Sequence, residues 1–588
     1  LEPTNEAYES QAKTAREDVA GAKQAHGAFT GDLDPSKTPG DFEKAQKVRA
    51  SDEVRELYRK LVKLAHPDLT TDPEEKERRT KFMQEINAAY EAGDQERLEE
   101  LLRSWNVSPE SVEGEGIGAE LVRVIRQIRQ TSQRIAAVRA ELSEIESTDD
   151  YEMVLEAKEE GCENYMNGLV AAIDIEIDIP EGRISGSVSH TFTPFASDFK
   201  RVTFNSDRIT IHKITLSGHS LDFQQHEGNI SIDLDKEYGW EDTLTVKIEY
   251  TAFPTMGFYF VRPDSSYPDK QMQGWTQGED TDNHFWVPMH DYPNDKMTWE
   301  CKLTVAKPLT AISNGELVSV SDKNDQRIFH WRENIPNTSY LLSVAVGDYK
   351  KIEDEWDGIP VNYWVYQHHN REDALRSFGK TPAMMEFFSE ITGVRYPFEK
   401  YDQTIIEDFM WGGMENVTNT HQTDRTMHEE KVRPIHSSDG LVGHELAHQW
   451  YGDYLTTRNW ANAWLNEGFA TYLELLWTED ESGIELAEYE RLGNLRATVW
   501  ADQSYRRPTV QPHYFNSIEL FDSNIYAKGS VILNMIRRYL GDDAFFRGLK
   551  NYTKTNAANN VETSDLKKTF EVTTGKNLDW FFDQWIYR

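Results

Sequence analysis

Hydrophobic and polar positions change rhythm twice along the chain. Between 117 and 147 apolar residues recur every seven positions, at Leu121, Ile128, Ile135 and Leu142. Val124, Val138 and Ile145 fall three positions later in the same heptads, and Thr131 breaks the seam. Such a stripe predicts one long helix that must bury it, as a hairpin with the N-terminal helices or as a coiled coil between chains. From about Leu169 the rhythm becomes alternation, in IDIEIDIP, GSVSHTFTPF, VTFNSD, ISIDLD and LTVKIEYTAF, punctuated by Gly, Asn and Asp. A period of two predicts half-buried strands, and short strands between such turn residues predict a largely antiparallel sheet domain ending near Asp348. Beyond Trp356 helical periodicity takes over, with strands expected only near 361–366 and 403–409.

At 588 residues the chain is too long for a single core. The expected fold is multidomain α+β. A helical region spans 1–116, the long helix and an acidic linker 117–168, the antiparallel β-domain 169–350, and an α/β domain 351–588. The first fifty residues are polar, with a Pro/Gly-marked break at 34–41, and carry no chemistry.

Within the last domain the stretch HELAHQWYGD runs from His444 to Asp453, and NEGFA follows from Asn466. On a helix His444 and His448, four apart, stack on one face and can grip one metal ion, with Glu445 one residue round from that grip. A catalytic zinc site needs a third protein ligand and keeps its fourth position for water. Glu467, nineteen residues past His448, is the best-placed carboxylate on the next predicted helix. The competing reading, an amphipathic helix with two buried histidines, leaves Glu467 without a purpose.

His-Glu-x-x-His, eighteen residues, then Glu resembles the gluzincin metallopeptidases and, within them, the M1 family. Two further stretches carry the resemblance. Phe409 to Asn416 reads FMWGGMEN, similar to the family's G-x-M-E-N motif, and Tyr526 to Gly529 is similar to its Y-x-K-G segment. The resemblance implies a thermolysin-like catalytic domain holding one Zn2+ and a substrate of peptides with a free N-terminus. It implies that 409–416 is an edge strand pairing with the peptide backbone, so that Gly412, Gly413, Met414 and Asn416 border the substrate and Glu415 binds its α-amine. It makes Tyr526 the donor to the developing oxyanion and Glu445 the general base. In the β-domain Gln277-Gly278-Glu279 resembles the family's Q-x-E motif, placing Gln277 and Glu279 beside Glu415. Trp411 is expected at the wall of the pocket for the first side chain. Asn416-Val417-Thr418 also reads as a glycosylation sequon, which a sugar in the cleft would contradict. The chain closes on DWFFDQWIYR, similar to the end of the family's catalytic domain, so the cleft is expected to be open or to be completed by a partner.

A second resemblance lies upstream. YRKLVKLAHPDL, with Leu57, Leu61 and Leu64 on one helix face, and KFMQEINAAYEAGD, with Phe82, Ile86, Asn87 and Tyr90, are similar to the central helices of a J-domain. That implies an Hsp70-type chaperone as partner. GDFEKAQKVRASDEV does not match the opening helix of that module.

Composition narrows the remaining classes. A net charge of −38 argues against nucleic acid or an anionic membrane as partner. Cys162 and Cys301 form neither a redox nor a metal motif and read as buried thiols. There is no run of eighteen apolar residues and no signal-like start, so a cytoplasmic protein is expected. Two alternatives to the aminopeptidase stand: an epoxide hydrolase of the leukotriene A4 hydrolase type, which shares the GGMEN form, and a co-chaperone or adaptor with a secondary zinc domain.

Overall fold

The first strand of the β-domain shows how the alternation is spent. In β1 (Met166–Asp178) Ala171, Ile173, Ile175 and Ile177 are buried while the residues between them face outward. The computed structural model describes residues 52–65, 73–92, 94–107 and 166–588, apart from 196–197, 227 and 433–434. The chain divides into two compact units, Leu1–Glu156 and Ala157–Arg588.

In the first unit three helices, α1 (Asp52–Ala65), α2 (Pro73–Ala92) and α3 (Gln95–Val107), enclose a small core of Val54, Leu61, Ile86, Leu98, Leu101 and Trp105. Tyr58 stacks on Tyr90 with ring centroids 4.1 Å apart and donates to Asn87 Oδ1 at 2.9 Å. The stretches 52–65 and 73–92 are therefore helices packed on each other, which by itself does not make them a J-domain. The His66-Pro67-Asp68 turn, the heptad stretch, the acidic linker and Cys162 lie outside the described residues.

In the second unit β1 pairs antiparallel with β2 (Arg183–Pro194) and parallel with Met297–Ala306, inside an eight-stranded sheet whose other pairings are antiparallel. A three-stranded sheet runs over 199–238. A four-stranded one contains β3 (Gln273–Thr276), which delivers Gln277 and Glu279 from its end. The largely antiparallel domain expected from alternation is thus present. Its first described strand begins at Met166, and the strand Tyr349–Trp356 opens the next sheet.

That next domain is a five-stranded mixed sheet in the order Tyr349–Trp356, Ile359–Tyr366, β4 (Tyr401–Ile406), β6 (Asn419–Thr423), with β5 (Gly413–Met414) at the edge. The strand expected at 403–409 ends three residues early, because the chain turns at Asp408, whose φ is +58°. The expected edge strand at 409–416 shrinks to two paired residues, Gly413 and Met414. Helices then fill the domain, among them α4 (Asp439–His448), α5 (Trp464–Ser482), α6 (Ile484–Ser504) and α7 (Ala527–Leu540). The β-domain is tied to this one by buried polar bonds. Lys296 Nζ donates to the carbonyls of Asp453 at 2.6 Å and Tyr454 at 3.0 Å, and Asn314 Nδ2 donates to the Val417 carbonyl at 2.6 Å. Among the described residues no helix is long and apolar enough to cross a membrane.

Candidate active site

Helix α4 buries Val442 and Leu446, one turn apart, against the core, which turns His444 and His448 toward a cleft. Each histidine is oriented from behind. His448 Nδ1 lies 3.0 Å from the Tyr451 carbonyl, which can only accept, so Nδ1 carries the proton and Nε2 offers a lone pair. His444 Nδ1 faces Glu474 Oε2 at 3.5 Å. Gly452 adopts φ +138°, and a Cβ there would stand 2.9 Å from His448 Nδ1, so the turn after the motif needs glycine to pass the ring.

Helix α5 brings Glu467 in its first turn. Gly468 of α5 meets Gly529 of α7 so closely that a Cβ on Gly468 would stand 2.9 Å from the Gly529 Cα. This close crossing carries Tyr526, just ahead of α7, to the cleft, where its ring stacks on His444 at a centroid distance of 6.1 Å. Burial and the neighbouring Glu467 hold the Tyr526 hydroxyl well above its ordinary value, so it stays protonated and able to donate.

Three donor atoms converge. His444 Nε2 and His448 Nε2 are 3.2 Å apart, and Glu467 Oε2 lies 3.4 Å and 3.3 Å from them. Tetrahedral zinc with bonds of about 2.0–2.1 Å separates its ligands by about 3.3–3.4 Å, the spacing found here. Two imidazole lone pairs and a buried carboxylate oxygen that lacks a hydrogen bond repel one another unless a cation sits between them. Burial alone would raise the Glu467 carboxyl, but the two imidazoles outweigh it and bring it down to about 2. The donor set and its dimensions fit zinc.

Beside this triangle stand two more carboxylates. One oxygen each of Glu279, Glu415 and Glu467 lie within 4.8 Å of one another, and Oε1 of both Glu279 and Glu415 is buried without a hydrogen-bond partner. Burial, then repulsion from Glu415 and Glu467, holds the Glu279 carboxyl well above the carboxylate range. Burial raises Glu415 as well. Gln277 Nε2 is held by Met414 Sδ at 3.1 Å, leaving Gln277 Oε1 unpartnered.

The edge strand β5 forms the neighbouring wall. The Gly412 carbonyl accepts from Thr423 N at 2.9 Å, so the alternation of antiparallel pairing turns the peptide groups of Gly413 outward. A Cβ on Gly413 would stand 2.3 Å from Glu445 Oε1. Glycine there lets the strand lie directly against that carboxylate, which burial pushes up to about 8.

The structure brings together, around a cleft of about 560 Å³, every residue singled out from the sequence except Asn416. Asn416 is wholly buried behind the wall, because the backbone turns inward after Glu415 through a tight turn closed by Asn419 N on its carbonyl. It is therefore not placed to touch a substrate, and the sequon it heads is inaccessible. Trp411 lines the cleft, about half exposed, on the far side of Gly412 from Glu415. His368 and His369 lie away from the cleft. Gln449, Leu441, Glu474, Ile518 and Phe521 were not anticipated. Gln449 Nε2 donates to the Glu415 carbonyl at 3.0 Å, while its Oε1 accepts from Thr418 N at 3.0 Å and Tyr396 OH at 3.1 Å, locking the Glu415 segment to α4. Its position directly after His448 was the available signal.

Residues 376–585 match the Peptidase family M1 domain and residues 161–341 match the Peptidase M1 N-terminal domain. The chain is 28% identical over 394 residues to Aminopeptidase N of Streptomyces lividans, covering 64% of this chain and 45% of that protein. It is 31% identical over 339 residues to Aminopeptidase M1 of Arabidopsis thaliana, covering 54% and 37%. The chain thus spans less than half the length of these two relatives. Among solved structures it is similar to an M1 zinc metallopeptidase from Deinococcus radiodurans, with a TM-score of 0.60, 22% identity, and coverage of 72% of this chain and 94% of that one. At that identity the likeness is one of fold.

Proposed function

The chain belongs to peptidase family M1, and we propose from this and from the cleft that it is a zinc-dependent aminopeptidase releasing single residues from the free N-terminus of peptides. The observation that carries the reading is the pair Glu279 and Glu415 beside the metal-ligating triangle, each with a buried carboxyl oxygen that makes no hydrogen bond. Two crowded carboxyl groups, one of which keeps its proton while no cation faces it, give up that proton to an ammonium placed between them, and an N-terminal amine fixed there leaves only the first peptide bond in register.

His444, His448 and Glu467 would hold the ion. Bound zinc lowers the pKa of water toward neutrality and polarises a carbonyl. Glu445, buried and beside the outward peptide groups of Gly413, takes the proton of the attacking water and passes it to the leaving amine. The protonated Tyr526 hydroxyl donates to the oxyanion as charge develops. The outward N–H and C=O of Gly413 pair with the peptide in the manner of an added strand. A cytoplasmic setting belongs to the same proposal.

The epoxide hydrolase alternative needs a cation to hold the carboxylate of a fatty acid, and among the described residues the cleft lining contains neither lysine nor arginine. The co-chaperone alternative keeps two packed helices, α1 and α2, while its tripeptide lies outside the described residues. Purified chain should contain about one zinc, release the N-terminal residue of an unblocked peptide, lose that activity to a chelator and regain it with zinc. Metal-free protein of full activity would overturn the proposal.

A further inference from the structure

The edge strand and α4 lie side by side along the cleft, and their contacts step in register. Gln449 donates to the Glu415 carbonyl, a Cβ on Gly413 would meet Glu445, and one on Gly412 would stand 3.1 Å from Leu441 Cδ1. At the end of this ladder a Cβ on Gly440 would stand 2.8 Å from Glu474 Oε1. With the amine at Glu415 and the proton carrier at Glu445, the peptide beyond the cleaved bond runs toward Gly412, Leu441 and Glu474. Leu441 is four residues from Glu445, or about 6 Å along the helix. An extended peptide covers that distance in about two residues at ~3.3 Å each, so a long side chain on the first residue after the bond reaches it.

Among the described residues five glutamates line the cleft. Glu467 is a metal ligand, Glu445 the proton carrier, and Glu279 and Glu415 hold the amine, which leaves Glu474. Its carboxylate is partly open to the cleft, with 31% of the side chain exposed. It faces the His444 ring, and among the described residues no lysine or arginine forms an ion pair with it. Leu441 and Trp411 supply apolar surface alongside, suited to the methylene stem of a lysine or arginine.

We infer that Glu474 is a specificity-determining residue for the position after the scissile bond, favouring peptides whose second residue is lysine or arginine. The inference rests on the aminopeptidase reading above.

The test compares kcat/KM for three unblocked peptides that differ only in the second residue, lysine, leucine or glutamate, using the zinc-loaded full chain. A partly exposed charge pair gives roughly a fivefold preference for lysine over leucine at low salt, shrinking as ionic strength rises. Glutamate falls below leucine. Glu474→Gln keeps an amide oxygen opposite His444 Nδ1, so zinc content is measured alongside, and the lysine preference and its salt dependence disappear. A wild-type enzyme that cleaves the lysine and leucine peptides equally overturns the inference whatever the variant does. So does a Glu474→Gln enzyme in which all three rates fall by one factor, since a purely positioning role at His444 would do that. Release of no amino acid from any of the three peptides would instead count against the aminopeptidase reading.

Discussion

Gly468 and Gly529 touch backbone to backbone, and a Cβ added to Gly529 would stand 2.8 Å from the Gly468 Cα. Neither atom belongs to a flexible side chain, so helices α5 and α7 must separate if either glycine gains bulk. The contact lies one residue from Glu467 and three from Tyr526, and it sets how far the hydroxyl stands from the ligand triangle.

Gly529→Val should therefore resemble Tyr526→Phe. Losing one oxyanion donor costs about 10²–10³ in kcat with little change in KM. Steady-state kinetics with zinc analysis checks this, and both variants are expected to retain the metal. Gly529→Val with kcat unchanged would show that the crossing does not position Tyr526.

Glu445 contributes no donor atom to the triangle, so removing its charge should spare the metal. Glu445→Gln is expected to keep full zinc and lose about 10² or more in kcat. Loss of zinc from this variant, or retention of turnover, would contradict its role as proton carrier.

Trp411, expected at the wall of the first side chain's pocket, lines the cleft beside Gly412 on the side away from Glu415, and we propose that it also borders the second residue of the peptide. Trp411→Ala should change discrimination at the second residue of the peptide by ~1 kcal/mol or more, and discrimination at the first residue by less. Comparing kcat/KM across two substrate series, each varied at one position, separates the two outcomes.

Much of this cleft was legible because its chemistry depends on short spacings. His444 and His448 share a face by helix geometry, and Glu467 opens the next helix. What escaped was set by tertiary contact. Strand β6 reads NTHQT, too polar for a buried strand, yet its bonds are satisfied across the fold. Thr404 Oγ1 donates to Asn419 Oδ1 at 2.9 Å, Asn419 Nδ2 to Ser343 Oγ at 3.0 Å, and Thr420 bonds Tyr401 OH at 3.0 Å. The roles of Gln449, Gly529 and Glu474 likewise depend on partners 30 to 61 positions away, which periodicity does not see. The turn at Asp408 ended the strand Tyr401–Ile406 early through a left-handed conformation rarely adopted outside glycine.

Glu333 links pH to stability at the junction of the β-domain and the catalytic domain. Burial and then Glu399 push its carboxyl up to about 8 from the ordinary 4.5. The folded state therefore holds a proton that the unfolded chain releases between these values. This contribution is fully present below pH 4.5 and is lost as pH rises through about 8. Glu333→Gln, which cannot ionise, should flatten the fall in Tm between pH 5 and 8. An unchanged slope would show that Glu333 is ionised in the folded protein.

The central claim is that Glu279 and Glu415 hold an N-terminal ammonium next to a zinc site. Its most direct measurement is kcat/KM for one peptide with a free N-terminus and for the same peptide acetylated, on zinc-loaded enzyme. A buried carboxylate pair left without its cation rejects the blocked peptide, so cleavage is expected to fall by at least ~10³. Equal cleavage of the two peptides would contradict the account.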